Sequence, residues 1–360
     1  MPKYSELIAR LPATTPFVPP EALERQIGRP LVARIGANES RFGISPKAVE
    51  AMVEAAKTSY FYGDPESLDL RTALAQGLGC GIENISVGSG VDEILGWIVR
   101  AFVDAGSPVV TSLGSYPTFQ YHVRSFAGHL EFVTYVNFTN DLGGLAEAAQ
   151  RVKPRLVYLA NPDNPTGHYH SAAAIETFRS ALPEETVLVL DEAYSDFADD
   201  LPSFNNDDCG VIRLRTFSKA HGLAGCRVGY ALTCADINQS FDKFRNHFGV
   251  NRVGQAGALA SLLDADFLRK VIEQVKVGRE EYHQLGRELG IGSLASWTNF
   301  VAFDCGSPER AVHLRDRLLQ RGIFVRTPGI EPLSRLLRVS VGNSDERRIF
   351  ADAFREETNS

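Results

Sequence analysis

Val187-Leu188-Val189-Leu190-Asp191-Glu192-Ala193-Tyr194 decides how the rest of the chain is read. Four apolar residues in succession leave no face for water. A strand here is covered on both sides, as strands of a parallel sheet are. The pattern recurs outward in both directions. Short apolar runs at 85–87, 108–111, 131–135, 155–160, 211–215 and 227–232 alternate with helical patterns at 91–102, 117–127, 142–152 and 171–181. That alternation predicts an α/β fold, a mostly parallel sheet covered by helices. Ligands of such sheets lie beyond the carboxyl ends of the strands, and Asp191 stands at one of those ends.

After about residue 235 the style changes. Long helical patterns at 256–263 and 267–289 precede strand-like runs at 299–304, 323–326 and 336–341, with helices at 308–321 and 344–356. This predicts a smaller α+β domain over 256–360 beside a large domain over 36–255. Residues 1–35 are proline-rich, with short helical patterns at 4–11 and 20–27, and read as an arm that packs with the small domain or a partner subunit. Two domains also suit 360 residues at ~150 residues per domain.

Net charge is −7 and no dense Lys/Arg run occurs, which speaks against a nucleic-acid binder. Five cysteines are scattered, odd in number and never spaced C-x-x-C, so neither a zinc site nor a disulfide framework is expected. No apolar run approaches the ~18 residues of a membrane span, and the first ten residues lack the apolar core of a signal peptide. The expectation is a reduced, cytoplasmic protein that touches no membrane.

Four motifs carry chemistry. In Arg215-Thr216-Phe217-Ser218-Lys219-Ala220-His221-Gly222 one lysine sits among small and apolar residues, with Arg227 eight positions later. A lysine in an apolar site has a depressed pKa and forms Schiff bases; a surface lysine in a glycine-rich loop is the plainer alternative. Asp191 needs a cation if buried, and a protonated pyridine nitrogen would serve, although a helix cap or a Mg2+ ligand fits as well. Asn161-Pro162-Asp163-Asn164-Pro165-Thr166-Gly167 is a rigid turn that holds out side-chain amides, or a turn and no more. Gly88-Ser89-Gly90-Val91-Asp92-Glu93 opens a helix after a strand, a place for a phosphate on free N–H groups. It is no dinucleotide fingerprint, since Glu93 stands where the third glycine belongs, and no P-loop sequence occurs.

In that chain order the four motifs resemble the fold-type I aminotransferases that use pyridoxal 5′-phosphate (class I/II), and within them the histidinol-phosphate aminotransferases, over roughly residues 30–350. The resemblance implies a Schiff base on Lys219, whose freed amine then shuttles the substrate proton. It implies Asp191 on the pyridinium nitrogen, Tyr194 and Asn164 on the ring oxygen, and Phe119 stacked on the ring. The phosphate would rest on Ser89, Gly90, Val91 and Asp92, on Thr216 and Ser218, and on Arg227. Tyr62 would reach it from the partner subunit, making a homodimer with shared sites. Arg326 and Arg338 would hold the substrate's acidic group, with Asn38 and Asn164 beside them. Amino donor and 2-oxo acid (2-oxoglutarate, for instance) would be the small-molecule partners.

Two departures leave the donor open. Asn38-Glu39-Ser40-Arg41-Phe42-Gly43 replaces the family's usual Asn-Glu-Asn-Pro-Tyr-Gly, and Phe17 stands where an arm tyrosine aligns. An aromatic amino acid is then an alternative donor. Decarboxylation of an amino-acid phosphate is an alternative reaction, and a non-catalytic ligand-binding relative a further alternative. His168 and His170 lack partners at metal-ligand spacing and read as surface residues, and His221 as a loop residue. No metal is expected.

Overall fold

The structure is a computed structural model that describes residues 3–13 and 17–358. The arm expected over 1–35 and the small domain expected over 256–360 therefore extend onto residues 1–2, 14–16 and 359–360, which lie outside the described residues. The chain opens with helices α1 (Glu6–Arg10) and α2 (Pro20–Ile27), strand β1 (Ala33–Arg34), and helices α3 (Pro46–Ala56) and α4 (Leu68–Leu78). Strand β2 (Ile85–Gly88), helix α5 (Val91–Phe102), β3 (Pro108–Ser112), α6 (Pro117–Ser125), β4 (His129–Val133), α7 (Leu142–Val152), β5 (Leu156–Ala160), α8 (Ala172–Ala181) and β6 (Val187–Asp191) follow in alternation. Then come β7 (Val211–Thr216), β8 (Gly229–Leu232), α9 (Ala235–Phe241), α10 (Arg252–Leu262) and α11 (Ala265–Leu289). Strands β9 (Gly292–Ser293) and β10 (Phe300–Asp304), helix α12 (Pro308–Gln320), strands β11 (Ile323–Phe324) and β12 (Leu336–Ser340) and helix α13 (Ser344–Thr358) complete the order.

The fold is α/β. A seven-stranded sheet runs in the order β2-β8-β7-β6-β5-β3-β4, parallel from β7 to β4, with β8 antiparallel to both β7 and β2. Every residue of β5 and β6 is buried, which is why Val187–Asp191 shows no alternation. Their odd and even residues enter different cores. Val187 and Val189 pack with α5, α6 and α9, while Leu188 and Leu190 pack with α7 and α8. A second, antiparallel sheet, β12-β10-β9, packs against α11, α12 and α13, and β1 pairs with β11 in parallel.

Several expectations shift. Strand β4 begins and ends two residues earlier than the run at 131–135. Tyr135 is apolar for another reason, burial against Leu333 and Leu336 with its hydroxyl donating to Asp163. Helix α6 stops at Ser125 because Ala127 takes a φ of 58°. Helix α3 was not singled out in the sequence, though Ser45-Pro46 signals its start: the Ser45 hydroxyl accepts from the Ala48 N–H. The expectation of wholly reduced cysteines is corrected, since Cys209 and Cys234 form a disulfide. The antiparallel register of β7 and β8, with Arg213 opposite Leu232, carries their flanking segments side by side, which spacing along the chain does not reveal. Cys80, Cys226 and Cys305 are free. No helix of the described residues is long and apolar enough to cross a membrane.

Candidate active site

The carboxyl ends of β5, β6 and β7, the start of α5 and the β12 edge surround a cavity of about 500 Å3. Strand β6 delivers Asp191 into it. The carboxylate accepts from the Tyr158 hydroxyl (2.7 Å) and the Ala193 N–H (3.0 Å), both uncharged, and burial pushes its pKa up to about 6. Tyr158 escaped notice in the sequence because it sits in an apolar strand with no motif around it. The loop after β7 delivers Lys219. Its Nζ donates to the Asn38 carbonyl at 3.2 Å and lies 5.5 Å above the Tyr194 ring. Burial, and then the Arg338 charge, pull the amine down to about 8. The loop needs Gly222, at φ 72°, since a Cβ there would lie 2.2 Å from the Gly43 carbonyl oxygen.

A cradle with anion chemistry lies at the other end of the cavity. Gly90, at φ 81°, turns the chain into α5, and a Cβ on it would lie 2.3 Å from Arg227 Nη2. Arg227 donates to the Ala224 carbonyl (3.0 Å) and to Asp92 (3.3 Å), and the Thr216 and Ser218 hydroxyls lie 2.9 Å apart. Val91, Asp92, Thr216, Ser218 and Arg227 all line the cavity. Ser89 departs from expectation: its N–H donates to Glu93 (2.5 Å), so this amide is spent on the first turn of α5.

Phe119 needs correction. It is fully buried, stacked on Tyr158 with ring centroids 4.5 Å apart, and does not line the cavity. Tyr116 does, three residues earlier and just ahead of Pro117, with its hydroxyl donating to Asp92 at 2.8 Å. The helix phase of α6 turns Phe119 into the core and leaves Tyr116 at the N-cap facing the site. Tyr62, expected to serve the partner's site, does not line the cavity of its own chain. It is 78 % exposed, between Phe61 and a ring contact with Phe248.

Tyr194 accepts from the Asn38 amide (2.9 Å), and burial raises its hydroxyl to about 12. Asn38 is fixed in turn by Ser340, whose hydroxyl donates to the Asn38 side-chain Oδ1 and accepts from its backbone N–H. Arg338 donates to Asn164 Oδ1 (2.6 Å) and to the Gly36 carbonyl, while Arg326 donates to the Val18 carbonyl and lies over the Phe17 ring. Neither Nε has a hydrogen-bond partner among the described residues. Burial lowers both guanidinium pKa values, that of Arg338 to about 10. Two half-buried cations lining one cavity call for an anion between them. Arg41 is engaged elsewhere, paired with the buried Glu346. His221 hydrogen-bonds Ser261, and the His168 and His170 rings meet edge to face. No cluster of three or more His, Cys, Asp or Glu able to hold a metal occurs among the described residues.

Residues 32–354 match the family described as aminotransferase class I and II. The chain is 33 % identical to a histidinol-phosphate aminotransferase of Moorella thermoacetica, over 99 % of this chain and 93 % of that one. It is 34 % identical to another of Desulfotalea psychrophila, over 97 % and 93 %. Among solved structures, the histidinol-phosphate aminotransferase of Sinorhizobium meliloti, in complex with pyridoxal 5′-phosphate, superposes with a TM-score of 0.96 at 47 % identity, covering 100 % of this chain and 98 % of that one.

Proposed function

The chain belongs to the class I and II aminotransferases, enzymes of the fold-type I class whose cofactor is pyridoxal 5′-phosphate, and from that premise we propose that it moves the amino group of histidinol phosphate to a 2-oxo acid such as 2-oxoglutarate. The residues fit the cofactor. A buried carboxylate with no ion pair among the described residues, a half-buried amine drawn down to about 8 and a cradle that a Cβ at Gly90 would fill correspond to a ring nitrogen, an aldehyde and a phosphate. When bound, the cofactor supplies an electron sink for the substrate's Cα.

The chain's own residues do the rest. Asp191 would hold the positive ring nitrogen, and Tyr158 keeps that carboxylate oriented. Asn38 donates to the Tyr194 oxygen, which leaves the Tyr194 hydrogen free for the ring oxygen. Asn164 spends its oxygen on Arg338, which leaves its NH2 available to the same target. Lys219 Nζ takes and returns the proton at the donor's Cα as general base and then acid. Tyr116 would cover the ring, and Val91, Asp92, Thr216, Ser218 and Arg227 would hold the phosphate.

The observation that carries the substrate reading is that the Nε groups of Arg326 and Arg338 find no partner among the described residues, in the same cavity that Lys219 lines. An anionic donor answers them. Phe17, lying over Arg326 without a hydroxyl, keeps an aromatic donor as the second reading. The exposed aromatics Tyr60, Phe61 and Tyr62 support a homodimer in which Tyr62 serves the partner's site. The reading also carries a cytoplasmic enzyme with an arm (1–35), a large domain (36–255) and a small one (256–360); the seven-stranded sheet closes at Leu232 and the three-stranded sheet begins at Gly292, which supports a boundary between them.

Mixing cofactor-loaded protein with L-histidinol phosphate, without a 2-oxo acid, tests the proposal. Rapid loss of the visible cofactor band at micromolar donor is expected. A band unmoved by that donor but bleached by phenylalanine moves the substrate to an aromatic acid.

A further inference from the structure

At the catalytic end of the seven-stranded sheet, the face turned away from the cavity carries a buried ion-pair network. Side chains alternate along β7, so Leu214 shares the face of Asp191, its register partner, while Arg213 and Arg215 point to the opposite side. Glu192, next after Asp191, turns with them. Its fully buried carboxylate accepts from Arg213 Nε (3.0 Å) and Nη2 (2.9 Å) on one oxygen, and from Arg215 Nε (2.8 Å) on the other. Arg215 stands directly opposite Tyr230 on the neighbouring β8, so the two side chains lie side by side on one face of the sheet.

One buried carboxylate between two guanidiniums is a poor source of stability, because desolvation offsets the attraction. Its placement gives it another use. Glu192 lies between Asp191 and Tyr194, Arg215 directly precedes Thr216 in the run to Lys219, and Tyr230 closely follows Arg227. The chain Glu192–Arg215–Tyr230 therefore ties together the ends of β6, β7 and β8, which deliver the groups for the ring nitrogen, the aldehyde and the phosphate. None of the three lines the cavity.

We propose that Glu192, Arg215 and Tyr230 are positioning residues that fix Asp191, Lys219 and Arg227 relative to one another, with Arg213 serving only as a second counter-ion. The inference rests on the roles given above. A rigid ring that must meet all three groups at once makes their mutual placement a rate-determining quantity, and misplacement by an ångström is enough to matter.

Arg213→Met and Arg215→Met each leave one neutral Glu192–Arg pair buried, but only the second cuts the link to β8. In the cofactor-loaded enzyme, R213M is expected to keep kcat within about twofold of wild type. R215M is expected to lose about 10- to 100-fold in kcat with KM changed less than about threefold, and to move the pH midpoint of the bound cofactor's visible band by about half a pH unit or more. Equal kcat in the two variants overturns the proposal. If R215M does not fold, Tyr230→Phe carries the test. A fall in kcat of about three- to tenfold at an unchanged melting temperature is expected, and wild-type kcat overturns it. An inactive wild type would overturn the functional reading, and this inference with it.

Discussion

Asp191 and Lys219 are each held against their ordinary ionisation, and each makes a prediction of its own. Between about pH 4 and 6 the folded chain without cofactor keeps on Asp191 a proton that the unfolded chain has released, so stability falls as pH rises through that window. At neutral pH the cost is complete, on the order of 3 kcal/mol. Asp191→Asn should therefore raise the melting temperature of the cofactor-free protein at pH 7 while abolishing turnover; a variant destabilised at pH 7 would contradict the assignment of that cost to Asp191. For Lys219 the sign is opposite in use. With its amine at about 8, roughly a tenth is neutral at pH 7, far more than for an ordinary lysine. The rate at which the cofactor-free protein captures pyridoxal 5′-phosphate should climb about tenfold per pH unit from pH 6 to 7.5 and level off above about 9, as read by stopped-flow absorbance. Lys219→Ala should still bind the cofactor but show no transamination. Both residues were legible in the sequence, because an apolar strand ending in Asp and a lysine among small residues are local signals. Tyr158 was not, since its relation to Asp191 exists only across paired strands.

The turn into α5 and the start of α6 show what an element adds to a motif. Gly90→Ala forces a methyl onto Arg227 at a φ that L-residues avoid. It should weaken binding of pyridoxal 5′-phosphate by about tenfold or more while leaving the affinity for pyridoxal, which lacks the phosphate, nearly unchanged. Tyr116 and Phe119 separate along similar lines. Tyr116→Ala should cut cofactor affinity, whereas Phe119→Leu should cost about 1 kcal/mol of stability and leave kcat intact. A Phe119→Leu enzyme with normal stability and lost activity would restore the assignment read from the sequence. The sequence could not choose between the two aromatics, as they flank Pro117 and only the phase of the helix decides which faces the core. The alternation of strands and helices was legible nearly throughout, because burial on both faces is written in composition. The antiparallel run of β8 was not, since direction follows from the short excursion through Lys219 rather than from any residue pattern.

At the scale of the whole molecule, pairings across the chain finish the site, and no local pattern announces them. The Cys209–Cys234 bond spans the β7–β8 hairpin from its open end, and reduction should lower the melting temperature by several degrees, by about 2–4 kcal/mol of stability. If Tyr62 completes the partner's site, equal amounts of inactive Lys219→Ala and impaired Tyr62→Ala subunits, unfolded and reassembled together, should recover about a quarter of the wild-type rate in mixed dimers. Recovery no better than the average of the two variants alone would place Tyr62 outside the site. The segment around Asn38 joins the two ends of the chain: its N–H donates to Ser340, 302 positions later, and β1 waits for β11. During synthesis on the ribosome, Asp191, Lys219 and Arg227 emerge long before Arg338 does. The groups proposed for the cofactor are thus all made before the arginine proposed for the substrate, so on the reading above the order of translation sets the loading site ahead of the site for turnover.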